Sequence, residues 1–159
     1  MSAAGPKGPA ALVCPDLPEA CVTNRQLRRL HKLRLAASAL ALLGIVELLL
    51  RTTSLPRTCA LLRVDREAPR YPRSSLLSAP EQALAVDVVE VVGRVAARWP
   101  FGDTCLRRTL VLAALLRDLQ PVVALGVRRD DAGAFSAHSW VVIGGESFDP
   151  AAADFLELR

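Results

Sequence analysis

The stretch SAHSWVVIGGESFDP, residues 136–150, decides how the chain folds. β-Branched and aromatic residues run up to Gly144-Gly145 and resume briefly beyond it. A Gly-Gly pair accepts the positive φ values of a two-residue hairpin turn, so the stretch reads as two antiparallel strands. With a two-residue loop, Asp149 faces Trp140 on the side that also carries His138, because strand side chains alternate. Asp149 is then the diagonal neighbour of His138, with Cα atoms about 7–8 Å apart. A three-residue loop turns Asp149 to the opposite face. Register therefore decides whether a His–Asp pair exists, and the two glycines favour the register that makes one.

Upstream, PVVALGVRR (121–129) has the same texture and supplies another strand. Before it, FGDTCLRRTLVLAALLRDL (101–119) reads as a helix with Asp103 or Thr104 as its N-cap. Leu106, Leu110, Ala113 and Ala114 form one apolar stripe, and Cys105, Thr109, Leu112 and Leu116 a neighbouring one. SAPE (78–81) is a capping-box pattern with proline in the first turn. It opens a helix in which Leu84, Val88, Val91, Val92 and Val95 repeat at helical spacing while Asp87, Glu90, Arg94 and Arg98 take the other face. Helices first and a small antiparallel sheet after them make an α+β fold, with the helix that carries Cys105 packed on the sheet.

Residues 1–22 are rich in Pro and Gly without a sustained period and read as a disordered tail; they lack the pattern of a secretory signal. Thr23 or Asn24 can cap a helix over about 25–50. Its first part, NRQLRRLHKLR (24–34), is basic, which suits a solvated face, an acidic peptide or an anionic lipid. Its second part, LAASALALLGIVELLL (35–50), is almost wholly apolar. Sixteen helical residues span only about 24 Å against a hydrocarbon core of ~30 Å, and Glu47 interrupts the run, so a core or partner-facing helix is expected before a membrane span. Pro56, Pro69 and Pro72 break the next segment and leave a short helix over 57–63. The expected division is a tail (1–22), a basic, leucine-rich helical region (23–75) and a compact core (76–159).

The 159 residues carry a net charge of +4 and are 52% hydrophobic, enough for one domain with a buried core. Aromatics make up only 4%, which argues against base stacking on nucleic acid. Cys14, Cys21, Cys59 and Cys105 form no C-x-x-C pair, which excludes a zinc ribbon or thioredoxin-like motif and makes a disulfide framework unexpected. A reducing compartment, the cytoplasm, follows. Cys14 and Cys21 lie in the tail and read as incidental.

Cys105 stands apart because backbone N–H groups and the dipole at a helix start favour an anion there. His138 alone would be a half-buried strand histidine, and His31, among arginines, a surface residue. Together Cys105, His138 and Asp149 have the chemistry of a nucleophile, its base and the group that orients the base. The backbone N–H of Cys105 can donate to a developing oxyanion. Cys, His and Asp can also bind zinc, but only His138 and Asp149 are close and no fourth ligand is evident, so no metal or cofactor is expected. Glu146 and Asp154 read as solvent-facing charges.

These residues carry a resemblance. CLRRTLVLAALLRDLQPVVALGV (105–127) followed by FSAHSWVVIGGESFD (135–149) resembles the lasso-peptide leader peptidases, the protease half of a split B protein, within the transglutaminase-like cysteine proteases. Cys105-Leu106-Arg107-Arg108-Thr109 matches that family's pattern of cysteine, leucine, any residue, arginine and a small residue. Leu125-Gly126-Val127 matches its strand ending in Gly-Val. Ala137-His138-Ser139-Trp140-Val141 matches its Ala-His-Ala-Trp-Val-Glu, with Ser139 and Val142 as departures. Asp149 lies at its third catalytic position.

The resemblance implies hydrolysis of one peptide bond between the leader and core of a ribosomally made precursor. It also implies a separate leader-recognition protein, for which the chain has no module of its own, and a lasso cyclase acting next. Two other functions stay open at the level of sequence: an acyl transferase using the same three residues, and a non-catalytic helical adaptor built on residues 25–63.

Overall fold

The structure, a computed structural model, describes residues 18–65, 77–129 and 133–158, with side chains from residue 26 onward. The expected tail lies outside the described residues as far as residue 17. Helix α1 (Pro18–Thr52) begins ahead of the expected start at residue 25. Proline is well suited to a first helical position, since its missing N–H would be unpaired there in any case. Helix α2 (Leu55–Leu62) follows at once and stops at Arg63, which adopts a left-handed conformation with φ 55°. The hydroxyls of Thr53 and Thr58 meet at 2.9 Å and pin the α1–α2 corner.

Helix α3 (Ala79–Ala96) starts where the capping pattern places it. Glu81 Oε2 accepts from the Ser78 backbone N–H at 2.8 Å and from its hydroxyl at 2.6 Å. Its inner face differs from the expected one by a small rotation. Ala85, Val88, Val91, Val92 and Ala96 are buried, whereas Leu84 is exposed, because small residues allow close approach to the neighbouring helices. Helix α4 (Cys105–Leu115) is the centre of the fold and touches α1, α2, α3 and the sheet.

The sheet has four strands in the order β3-β2-β1-β4, with β1 Val122–Arg129, β2 Phe135–Ile143, β3 Glu146–Ser147 and β4 Leu156–Glu157. The β2–β3 pairs Val142↔Ser147 and Ile143↔Glu146 are those of a two-residue loop. Gly144 (φ 60°) and Gly145 (φ 87°) both take left-handed geometry, as a primed hairpin turn requires. The architecture is the expected α+β one: among the described residues, four α-helices, with α4 lying on an antiparallel sheet.

One core joins both parts of the chain. Ala39, Leu43 and Val46 of α1 share it with Cys59, Val92, Leu110, Val123 and Ile143. By length and composition, residues Gln26–Thr52 of α1 could cross a membrane; in this fold their inner face packs on α3 and α4.

Candidate active site

Cys105 is the first residue of α4 and is partly buried. Thr104 caps the helix, its hydroxyl accepting from the Arg107 backbone N–H at 3.4 Å. Helical geometry leaves the first N–H groups, that of Cys105 among them, without an intrahelical acceptor. The turn before α4 is held from the far side. Arg107 Nη1 donates to the carbonyls of Phe101 (3.1 Å) and Gly102 (3.2 Å), and Arg108 pairs with Asp103.

Arg107 is in turn anchored by α1. Its Nε lies 2.6 Å from Glu47 Oε2, while Arg51 Nη2 lies 2.7 Å from Glu47 Oε1. The contacts are ionic rather than aligned hydrogen bonds. Glu47 is only 6% exposed. The residue that breaks the apolar run of α1 therefore anchors the helix that carries Cys105. A buried carboxylate between two guanidiniums costs desolvation, but removing it costs more, because an arginine is left uncompensated. Glu47→Ala should destabilise the protein by about 3 kcal/mol, the lower end for breaking a buried pair because the Arg107 side chain keeps 19% exposure. Glu47→Gln should cost less. Chemical denaturation measures both; a loss below about 1 kcal/mol for the alanine variant would assign the pair no more than surface-bridge strength.

His138 stands on β2 opposite Gly126 of β1. A Cβ at Gly126 would come within 2.6 Å of the Trp140 ring and 2.9 Å of Phe155 Cβ, so only glycine admits both aromatics beside the histidine. The Phe155 and Trp140 rings lie 5.0 and 6.0 Å from the imidazole, centroid to centroid. They restrict the ring on two sides.

Asp149 lies two residues beyond the end of β3, in a loop rather than on the strand itself. Its Oδ1 accepts from the Ala151 N–H at 2.9 Å and so caps a short 3₁₀ turn, Pro150–Asp154. Its Oδ2 is 2.8 Å from His138 Nε2. A carboxylate only accepts, so the neutral imidazole carries its proton on Nε2 and presents Nδ1 as the free base. Both side chains are partly buried, which weakens competition from water.

Cys105, His138 and Asp149 line one cavity of about 140 Å³. Arg108 and Thr109 add polar groups to its lining, and Val89, Leu112 and Phe148 add apolar ones. Thr109 Oγ1 donates to the Ser139 carbonyl at 2.9 Å, and the two hydroxyls lie 3.2 Å apart. This buried link sews α4, which carries Cys105, to β2, which carries His138, and gives Ser139, a departure from the resembled pattern, a partner of its own.

A family profile described as the transglutaminase-like superfamily matches residues 42–158. The chain belongs to the transglutaminase-like superfamily. No curated protein and no solved structure matches it. The superfamily includes cysteine proteases, and its members are often cysteine-dependent enzymes. The matched span takes in the last turns of α1, with Glu47, as well as Cys105, His138 and Asp149.

The other sequence candidates are dispersed. Cys59 is buried in the core, His31 is exposed on α1, and Glu146 and Asp154 are exposed. Asp154 pairs loosely with Arg128 at 3.7 Å. Cys14 lies outside the described residues, as does the side chain of Cys21. Sequence reasoning missed Glu47 with Arg107, the Thr109–Ser139 link and Phe155. Only Glu47 left a trace in the pattern, as the one charge inside an apolar run.

Proposed function

We propose that this protein is a cysteine peptidase that removes the leader from a ribosomally made lasso-peptide precursor. The observation that carries the reading is the His138–Asp149 pair set in one cavity with Cys105 at a capped helix start. The likeness of the three motifs to the leader peptidases supports the choice of substrate.

In this mechanism His138 Nδ1 takes the proton of the Cys105 thiol, and the sulfur attacks the scissile carbonyl carbon. The backbone N–H of Cys105 donates to the oxyanion. The imidazolium, stabilised by Asp149, passes its proton to the leaving amine as the C–N bond breaks, which frees the core peptide. Water then adds to the thioester, giving its proton to His138 and its hydroxyl to the acyl carbon. Collapse releases the leader carboxylate and restores the thiol. A separate recognition protein delivers the leader, a cyclase closes the ring afterwards, and the reaction runs in the cytoplasm without metal or cofactor.

The deciding experiment incubates the protein with a short precursor encoded beside it, with and without the recognition protein, and reads masses. Hydrolysis gives two fragments that together weigh the precursor plus one water. An amine adduct of the leader without added water would replace the peptidase by an acyl transferase, and an unchanged precursor in both mixtures would remove the enzymatic reading.

A further inference from the structure

We propose that the groove between α1 and α3 docks an acidic amphipathic helix of a separate polypeptide. The groove holds about 1050 Å³ and lies between the first described turns of α1 and the outer side of α3, away from the Cys105 cavity. Its floor is made of small and β-branched residues: Ala36, Ala83, Val91 and Val95. Leu27 and Leu33 stand on its edge, 61% and 66% exposed, although leucines so placed on a folded domain gain nothing from water. A concave apolar floor with leucines at the rim is the shape that receives the apolar face of a helix.

Charge selects the sign of that helix. The acid that lines the groove, Asp87, is already engaged by Lys32 at 3.2 Å, and Glu90 beside the groove is held by Lys32 at 3.5 Å and by Arg94. Arg28 and Arg29 line the same groove and make no ion pair among the described residues. A partner whose polar face is acidic would meet these two guanidiniums while its apolar face covers the leucines. The chain's own segment 66–76 carries Arg66, Arg70 and Arg73 against a single Glu67, so its charge opposes the groove.

The inference does not depend on Cys105, because it is read by binding and not by cleavage. The full-length protein is titrated with two fluorescein-labelled helical peptides of identical leucine spacing, one with glutamate and one with lysine on the polar face. The glutamate peptide should bind at least about tenfold more tightly, and added salt should narrow the gap. Ala83→Trp fills the groove from an exposed position and should weaken binding at least about tenfold with no change in melting temperature. Arg28→Glu with Arg29→Glu should reverse the preference between the peptides. Equal binding of both peptides, or undiminished binding by the Ala83→Trp and charge-reversed variants, would overturn the proposal. So would co-sedimentation with phosphatidylglycerol vesicles that the charge reversal abolishes while neither peptide binds, since that assigns the two arginines to a membrane surface.

Discussion

Cys105→Ala should yield a folded protein that cleaves nothing. The thiol is a small, partly buried group at a helix start, so its loss removes few packing contacts. Thr104, Arg107 and Arg108 continue to hold that helix start through backbone and guanidinium bonds that do not involve sulfur. Chemistry should fall by at least about 10⁴-fold, because no other atom can form the acyl intermediate. Cys59→Ala is the informative control. Cys59 is buried in the core, so its truncation should cost about 1–2 kcal/mol of stability and leave turnover intact. Cys14→Ala and Cys21→Ala should also retain activity. Undiminished cleavage by Cys105→Ala, measured by product mass under single-turnover conditions, would move the nucleophile elsewhere.

The sequence revealed the parts of this fold whose causes are local. The Gly144-Gly145 turn requires positive φ at both positions, which almost alone sets the β2–β3 register, and Ser78 with Glu81 marks the start of α3 for an equally local reason. The helix start at Cys105 is legible because Thr104 is a favoured cap. What failed to show depends on contacts between distant segments. Periodicity assigned Leu84 of α3 to the core, but the close approach of α1 and α4 rewards Ala85 and Ala96 there instead. Glu47 read as a charge unfit for lipid; only the folded chain brings Arg107 to it across sixty residues of sequence. Extending the hairpin puts Asp149 on a strand, yet Pro150 has no N–H to donate to a ladder, so the chain turns into a 3₁₀ cap and brings the carboxylate to His138 from a loop. The pairing survives because the register of β3 delivers the loop to the correct side of the sheet.

His138→Ala should be nearly as damaging as loss of the thiol, and Asp149 substitutions should be milder but instructive. Without the imidazole there is no acceptor for the thiol proton and no donor to the leaving amine, so kcat should fall about 10⁴-fold. Asp149 performs two tasks with its two oxygens: Oδ1 caps the 3₁₀ turn at Ala151, and Oδ2 holds Nε2 of the histidine. Asparagine has one carbonyl oxygen for both. If it keeps the cap, its amide nitrogen faces Nε2 and drives the ring toward the other tautomer, which blocks Nδ1. If it flips to accept from the ring, the cap is lost at a cost of about 1 kcal/mol. Asp149→Asn should therefore lose about 10²-fold in kcat with little change in KM, since it disturbs proton transfer and not substrate capture. Combined with His138→Ala it should add almost nothing, because both act through one imidazole. Full additivity in that double-mutant cycle, or wild-type turnover by Asp149→Asn, would take the aspartate out of the mechanism and leave a Cys105–His138 dyad.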